Sequence, residues 1–148
     1  MEITTKDFGI INIKEQEIIH FPKGIFSFEE AKKFIFINSD DYSAICLQAV
    51  DNVDPRFIVF NPLDIMEDYS PMLPEGVMQQ LEATSLDELC FFVIAVIPQK
   101  IQDMTVNLKS PIVVNPYKRL GMQVILENQD YQIRHSVYDE KERGGGEC

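Results

Sequence analysis

Tryptophan is absent from this chain, and cysteine, histidine and positive charge are scarce. There are three Cys, two His and 13 Lys plus Arg against 24 Asp plus Glu, a net charge of −11. Each shortage removes a class of function. An acidic surface repels phosphates, so direct binding of RNA or DNA is not expected. An odd number of Cys without close spacing builds neither a disulfide framework nor a zinc site. Cys46 and Cys90 sit inside apolar runs, where a free thiol serves as a small core residue, and Cys148 follows a run of Gly. Metal centres need three or four ligands held together, which two remote His do not offer, so no metal or cofactor is expected. His20 lies on the opposite strand face from Ile19 and Phe21; His135 shares a face with Tyr131, Ile133 and Val137, as a packed His does. Long apolar runs are also missing. The longest, "LCFFVIAVI" (89–97), is too short to cross a bilayer as a helix. The start, "MEITTKDFG", lacks the basic residues and apolar run of a secretory signal. A cytoplasmic protein without a membrane partner is expected.

What is present is a pattern of period two. In 148 residues, ten Phe and five Tyr supply the bulk of a single core. The spacing predicts strands at 10–13, 17–21, 33–38, 44–50, 56–60, 89–97, 104–108, 111–115, 122–126 and 131–137. Turn residues such as "PKG", "NSDD", "DNVDP" and "ENQD" separate them. Many short strands of this kind predict a mainly β fold, a small antiparallel β-barrel-like single domain over residues 1–138. One or two short helices are expected in the connection around residues 62–83, from "LDIMEDY" (63–69) and "PEGVMQQLEA" (74–83). The tail "DEKERGGGEC" (139–148) has no core residue and reads as disordered. Acidic residues collect in the predicted turns, among them Asp40, Asp41, Asp51, Asp54, Asp64, Glu67, Asp68 and Asp87.

Catalytic patterns are few. The seven Gly form no phosphate loop, and no G-x-S-x-G nucleophile elbow occurs. Asp40-Asp41 and Glu67-Asp68 are adjacent acids in loops, without surroundings that would drive their pKa values apart. An enzyme is not expected. A barrel that encloses a small molecule, or a small hydrolase using His20 or His135 with nearby acids, are the alternatives.

The segment "MTVNLKSPIVVN" (104–115) is irregular for a strand, with Asn107 and Asn115 bracketing an apolar stretch that Pro111 interrupts. Either these residues shape a bend or barrel corner, or they leave polar groups for a partner. The same choice applies to "FPKGIFSF" (21–28). There Pro22 and Gly24 set a turn, and Phe26 and Phe28 either close the barrel mouth or stand exposed as anchors.

Four pieces, in order, resemble one family. "HFPKGIFSFEEAKKF" (20–34), "LQAVDNVDPRFIVFNPLDIMEDY" (47–69), "MTVNLKSPIVVN" and "GMQVILENQDYQIRHSV" (121–137) are similar to the blocks of the bacterial flagellar assembly factor FliW. The resemblance spans about residues 1–138. It implies a cytoplasmic, non-enzymatic β-barrel that binds flagellin and, when free of it, binds the basic translational repressor CsrA. That antagonism is allosteric and relieves repression of flagellin mRNA. An acidic chain suits a basic partner, because complementary charge speeds encounter. Flagellin termini are amphipathic, so that partner is expected to need an apolar groove. The expected contact residues are Pro22, Gly24, Ile25, Phe26 and Phe28; Asp64, Glu67, Asp68 and Tyr69; and Asn107, Lys109 and Asn115.

Overall fold

The computed structural model describes residues 1–38 and 44–138. The expected tail, Cys148 and the turn holding Asp40 and Asp41 lie outside the described residues. In chain order the strands are β1 (Glu2–Thr5), β2 (Gly9–Asn12), β3 (Ile19–His20), β4 (Lys33–Asn38), β5 (Ile45–Ala49) and β6 (Arg56–Phe60). After the short helix α1 (Val77–Gln80) come β7 (Cys90–Val96), β8 (Thr105–Val106), β9 (Ile112–Asn115), β10 (Leu120–Gln123) and β11 (His135–Ser136). Among the described residues no helix is long and apolar enough to cross a membrane.

The strands β3, β4, β5, β6, β7, β9 and β10 form a closed ring. All its ladders are antiparallel except one. The ring closes through a parallel bridge, Leu120 opposite His20, where an antiparallel pairing was expected. β7 is shared along one edge. Its first half pairs with β9 (Phe91 opposite Val113) and its second half with β8 (Ala95 opposite Val106). The segment 104–115 therefore lies along a single strand twice, and its irregular middle is the step between the two pairings.

Alternation places Phe34, Leu47, Val59, Ile112 and Phe21 inside the ring, all fully buried. The opposite faces are buried as well. Ile35 and Val50 pack beneath the β1–β2 hairpin with Ile3, Ile13 and Ile18. Val93, Val113, Leu108 and Val124 pack beneath α1 and the long connection, against Tyr69, Val77 and Leu81. Strands covered on both faces read as unbroken apolar runs, which is why "CFFVIAV" and "PIVVN" lack clean alternation.

Two expectations need correction. Cys90 is exposed, not a core residue: it opens β7 at the point where the neighbouring strand has already turned away. The predicted helix at 74–83 contracts to the four residues of α1. Gly76 at φ +92° precedes it and Glu82 at φ +54° ends it, and neither conformation continues a right-handed helix.

Candidate functional site

A largely apolar groove, open to solvent, arises where β6 parts from β7. The two strands pair only at Val59–Ile94 and Phe60–Val93. Beyond Phe60 the chain turns off, because Asn61 caps a 3-10 turn over Pro62–Asp64 and accepts a bond from the Leu63 N–H at 3.0 Å. Pro62 occupies the first position of that turn, where a missing N–H costs nothing. β7 continues on to Cys90 without it, and a groove of about 470 Å³ opens between them. Asn61, Pro62 and Leu63 line one side; Leu86, Leu89, Cys90, Phe91 and Phe92 line the other; Tyr69, Ser70 and Pro71 complete it.

Both ends of the groove are held firmly. Tyr69 is buried, stacks on Tyr131 with ring centroids 4.8 Å apart, and donates to the Leu108 carbonyl at 2.8 Å. Burial pushes its phenol far above the ordinary value, so the hydroxyl stays a donor. The next residues are tied to the turn before β11: the Ser70 N–H donates to the Tyr131 hydroxyl at 2.7 Å, and the Asn128 amide bridges Met72 N–H and Ser70 C=O. On the far side, Ser85 caps the 3-10 turn Leu86–Glu88. Glu88 accepts from both the hydroxyl and the N–H of Thr84, and these bonds lower its pKa. Replacing Tyr69 with Phe leaves the stacking but strands the buried Leu108 carbonyl. A loss of about 1–2 kcal/mol is expected, read as a lower denaturation midpoint with an unchanged slope.

The expected contact residues separate into three groups. Asp64, Glu67 and Asp68 are exposed and adjoin the groove-lining Leu63 and Tyr69 in sequence. Pro22, Phe26 and Phe28 are exposed elsewhere, the two aromatics at 45% and 44%. They ride on a turn closed by the Phe28 N–H to Ile25 C=O bond of 2.7 Å, with Ser27 at φ +73°. Phe28 packs edge-on against Phe57 near the start of β6, whereas the groove lies past the end of that strand. Strand rise alone puts Phe57 about 13 Å from Asn61, where the groove begins. A second, more polar groove of about 500 Å³ lies beside Phe28, between residues 27–33 and the 51–55 turn.

The third group faces inward and holds the fold. Ile25 and Asn115 are each 1% exposed, and Gly24 is buried against the backbone of Glu29. Asn107 accepts from the Ser110 N–H at 2.9 Å and so closes the step between β8 and β9. Lys109, half buried, donates its ammonium to the Asn128 carbonyl. Gln123 joins two of the expected regions, accepting from Phe26 N–H and donating to Ser110 C=O, each at 3.0 Å.

Sequence reasoning missed Leu63, Leu86, Cys90, Phe91 and Phe92. A signal was available: from Phe57 to Gln99 there is no Lys, Arg or His, while Asp64, Glu67, Asp68, Glu75, Glu82, Asp87 and Glu88 all fall in that stretch. Among the described residues no group of three His, Cys, Asp or Glu is placed to hold a metal ion. Cys46, the other described thiol, is buried, and burial with Asp7 nearby pushes it up to about 11.

Fold and site define a small, filled, closed β-barrel with an apolar groove in its wall. The family model described as FliW protein matches residues 2–137. The flagellar assembly factor FliW of Caldanaerobacter subterraneus subsp. tengcongensis is 40% identical over 142 residues, covering 95% of both chains. That of Clostridium novyi is 36% identical over 141 residues, covering 95% of this chain and 99% of its own. A crystal structure of the flagellar assembly factor FliW superposes with a TM-score of 0.89 at 35% identity, over 95% of this chain and 99% of that one. The chain belongs to the FliW family.

Proposed function

We propose that this protein is a non-enzymatic cytoplasmic regulator that binds flagellin and, when free of it, binds CsrA and antagonises it allosterically, so relieving repression of flagellin mRNA. The observation that carries this is the base-free stretch from Phe57 to Gln99, which supplies the lining of an apolar groove and, within two residues of that lining in the chain, the exposed acids Asp64, Glu67, Asp68 and Asp87. A basic RNA-binding dimer is attracted to such a face, and bound there it gains negative potential that opposes RNA. An amphipathic flagellin terminus suits the groove itself. Aromatic and aliphatic side chains fill the ring interior, which favours contact with macromolecules over enclosure of a small ligand.

The test is calorimetry of the purified protein with CsrA at two salt concentrations, with and without flagellin. Salt-sensitive CsrA binding that flagellin abolishes supports the switch; binding to neither partner refutes it. Charge reversal at Glu67 and Asp68 is expected to slow CsrA association about tenfold at low salt and flatten its salt dependence, with the melting curve unchanged. An unchanged association rate removes this face as the CsrA interface.

A further inference from the structure

We propose that the groove between Asn61–Leu63 and Leu86–Phe92 seats a peptide segment of a partner protein bearing two or more large aliphatic or aromatic side chains, flanked on both sides by Lys or Arg. The inference deepens the reading above and rests on it only for the protein-binding role; it names the chemistry that fills the groove.

Three observations converge. The lining is apolar and open to solvent: Leu63 and Leu86 are 55% and 53% exposed, and Leu89, Phe91 and Phe92 line the same groove. Apolar side chains in such a cleft gain by losing water, and a volume of about 470 Å³ admits several of them. Next, exposed acids adjoin the lining residues in the chain. Leu63 is followed by Asp64, Tyr69 is preceded by Asp68, and Leu86 is followed by Asp87, all three acids exposed. The stretch from Phe57 to Gln99 itself contributes no cationic side chain, and from outside it Lys118 lies near Glu88. An apolar segment with acidic flanks is repelled here, and one with basic flanks is drawn in. Finally, the walls are preformed. The Asn61 and Ser85 caps and the Tyr69–Leu108, Ser70–Tyr131 and Asn128 bonds fix them before any partner arrives. Little ordering is then needed in this chain on binding.

Cys90 supplies the readout, since it is exposed on the groove wall. The full chain carrying Cys148→Ser leaves Cys90 as the reactive thiol, because Cys46 is buried and its thiol is pushed up to about 11. The probe is a fluorescent nine-residue peptide with Leu and Phe at its centre and two Lys at each end. A second peptide keeps the Lys and replaces the apolar residues with Ser and Gly; a third keeps the apolar centre and carries Glu at the ends. Binding is followed by anisotropy, and occupancy by the rate of Cys90 alkylation with iodoacetamide.

The first peptide is expected to slow alkylation at least tenfold at saturation, and the other two to leave it unchanged. Leu63→Asp and Leu86→Asp, both at exposed positions, are each expected to weaken the first peptide about tenfold without lowering the melting temperature. Equal protection by the Lys–Ser–Gly peptide, or undiminished binding to both Leu variants, overturns the proposal. A chain that binds the first peptide but neither flagellin nor CsrA keeps the groove assignment and removes the named partners. Full affinity of both partners for the double Leu variant overturns the groove and leaves the function standing.

Discussion

Replacing Gly24 with Ala should lower stability by about 2–4 kcal/mol, a fall in melting temperature of about 5–15 °C for a chain of this size. Two penalties coincide at this residue. Its φ is +69°, a conformation that side chains other than Gly rarely adopt, and a Cβ there would stand 2.5 Å from the Glu29 Cα. Backbone, unlike the end of a flexible side chain, cannot step aside. Gly9 provides the control, because its φ is +67° with nothing within 4 Å of an added Cβ. Gly9→Ala isolates the conformational term and is expected to cost about 1 kcal/mol. Equal losses for the two variants would refute the close approach of residues 24 and 29. The consequence reaches the surface as well. The turn holding Phe26 and Phe28 springs from Gly24, so the variant's remaining folded fraction should present these rings less uniformly.

Asn115→Ala is expected to be comparably damaging, at about 2–4 kcal/mol by chemical denaturation. This side chain uses both ends of its amide. Nδ2 donates to the Leu81 carbonyl at 2.8 Å and reaches the Glu82 carbonyl at 3.4 Å, tying the end of α1 to the barrel. Oδ1 accepts from the N–H groups of Tyr117 and Lys118 at 3.1 and 3.3 Å, shaping the turn into β10. Removing the amide strands a buried carbonyl and frees the turn that precedes ring closure. Asn115→Asp separates these roles. Ionised, the carboxylate still accepts from the turn but faces the Leu81 and Glu82 carbonyls without a proton to give. Burial and those oxygens raise its folded pKa above the ordinary value of about 3.9, so the folded state favours the protonated form. Protonated, it can donate to Leu81 again. The deficit of the variant relative to the parent should therefore be largest near pH 7 and shrink as pH falls through that raised pKa toward the unfolded value of about 3.9. A deficit independent of pH would show that the Leu81 bond contributes little.

Much of the barrel was legible because its strands are stiff, apolar and short. "KFIFIN" and "RFIVF" coincide with β4 and β6 residue for residue. β1 was overlooked because "EITT" holds a single large apolar residue, although its burial alternates strictly. Tertiary context decided that element, since Ile3 becomes apolar cover only once Ile35 lies beneath it. The 131–137 run shrank to His135–Ser136 because Tyr131 and Gln132 serve other partners: Tyr131 bonds Ser70, and the Gln132 carbonyl accepts from Leu108. The groove was the least legible part. Its sides are almost thirty residues apart in sequence, and it exists because one ladder ends at Phe60 while its partner strand runs on to Cys90. Periodicity encodes strands, not the place where two of them part. The acids at 64, 67 and 68 were legible as charge; that the residues next to them in the chain line an apolar cleft was not.

The parallel bridge between His20 and Leu120 has a consequence for synthesis. The ring joins strands a hundred residues apart, so a nascent chain that has formed β3, β4, β5, β6, β7 and β9 is expected to remain an open sheet until β10 has left the ribosome. During that interval β3 offers an unpaired edge, and Phe21 lacks the close approach of Gly121 that later covers its ring. Ribosome-bound chains stalled before residue 120 should therefore need holding by a chaperone, while chains released after 126 should close unaided. The ring can close only after translation has passed its last strand.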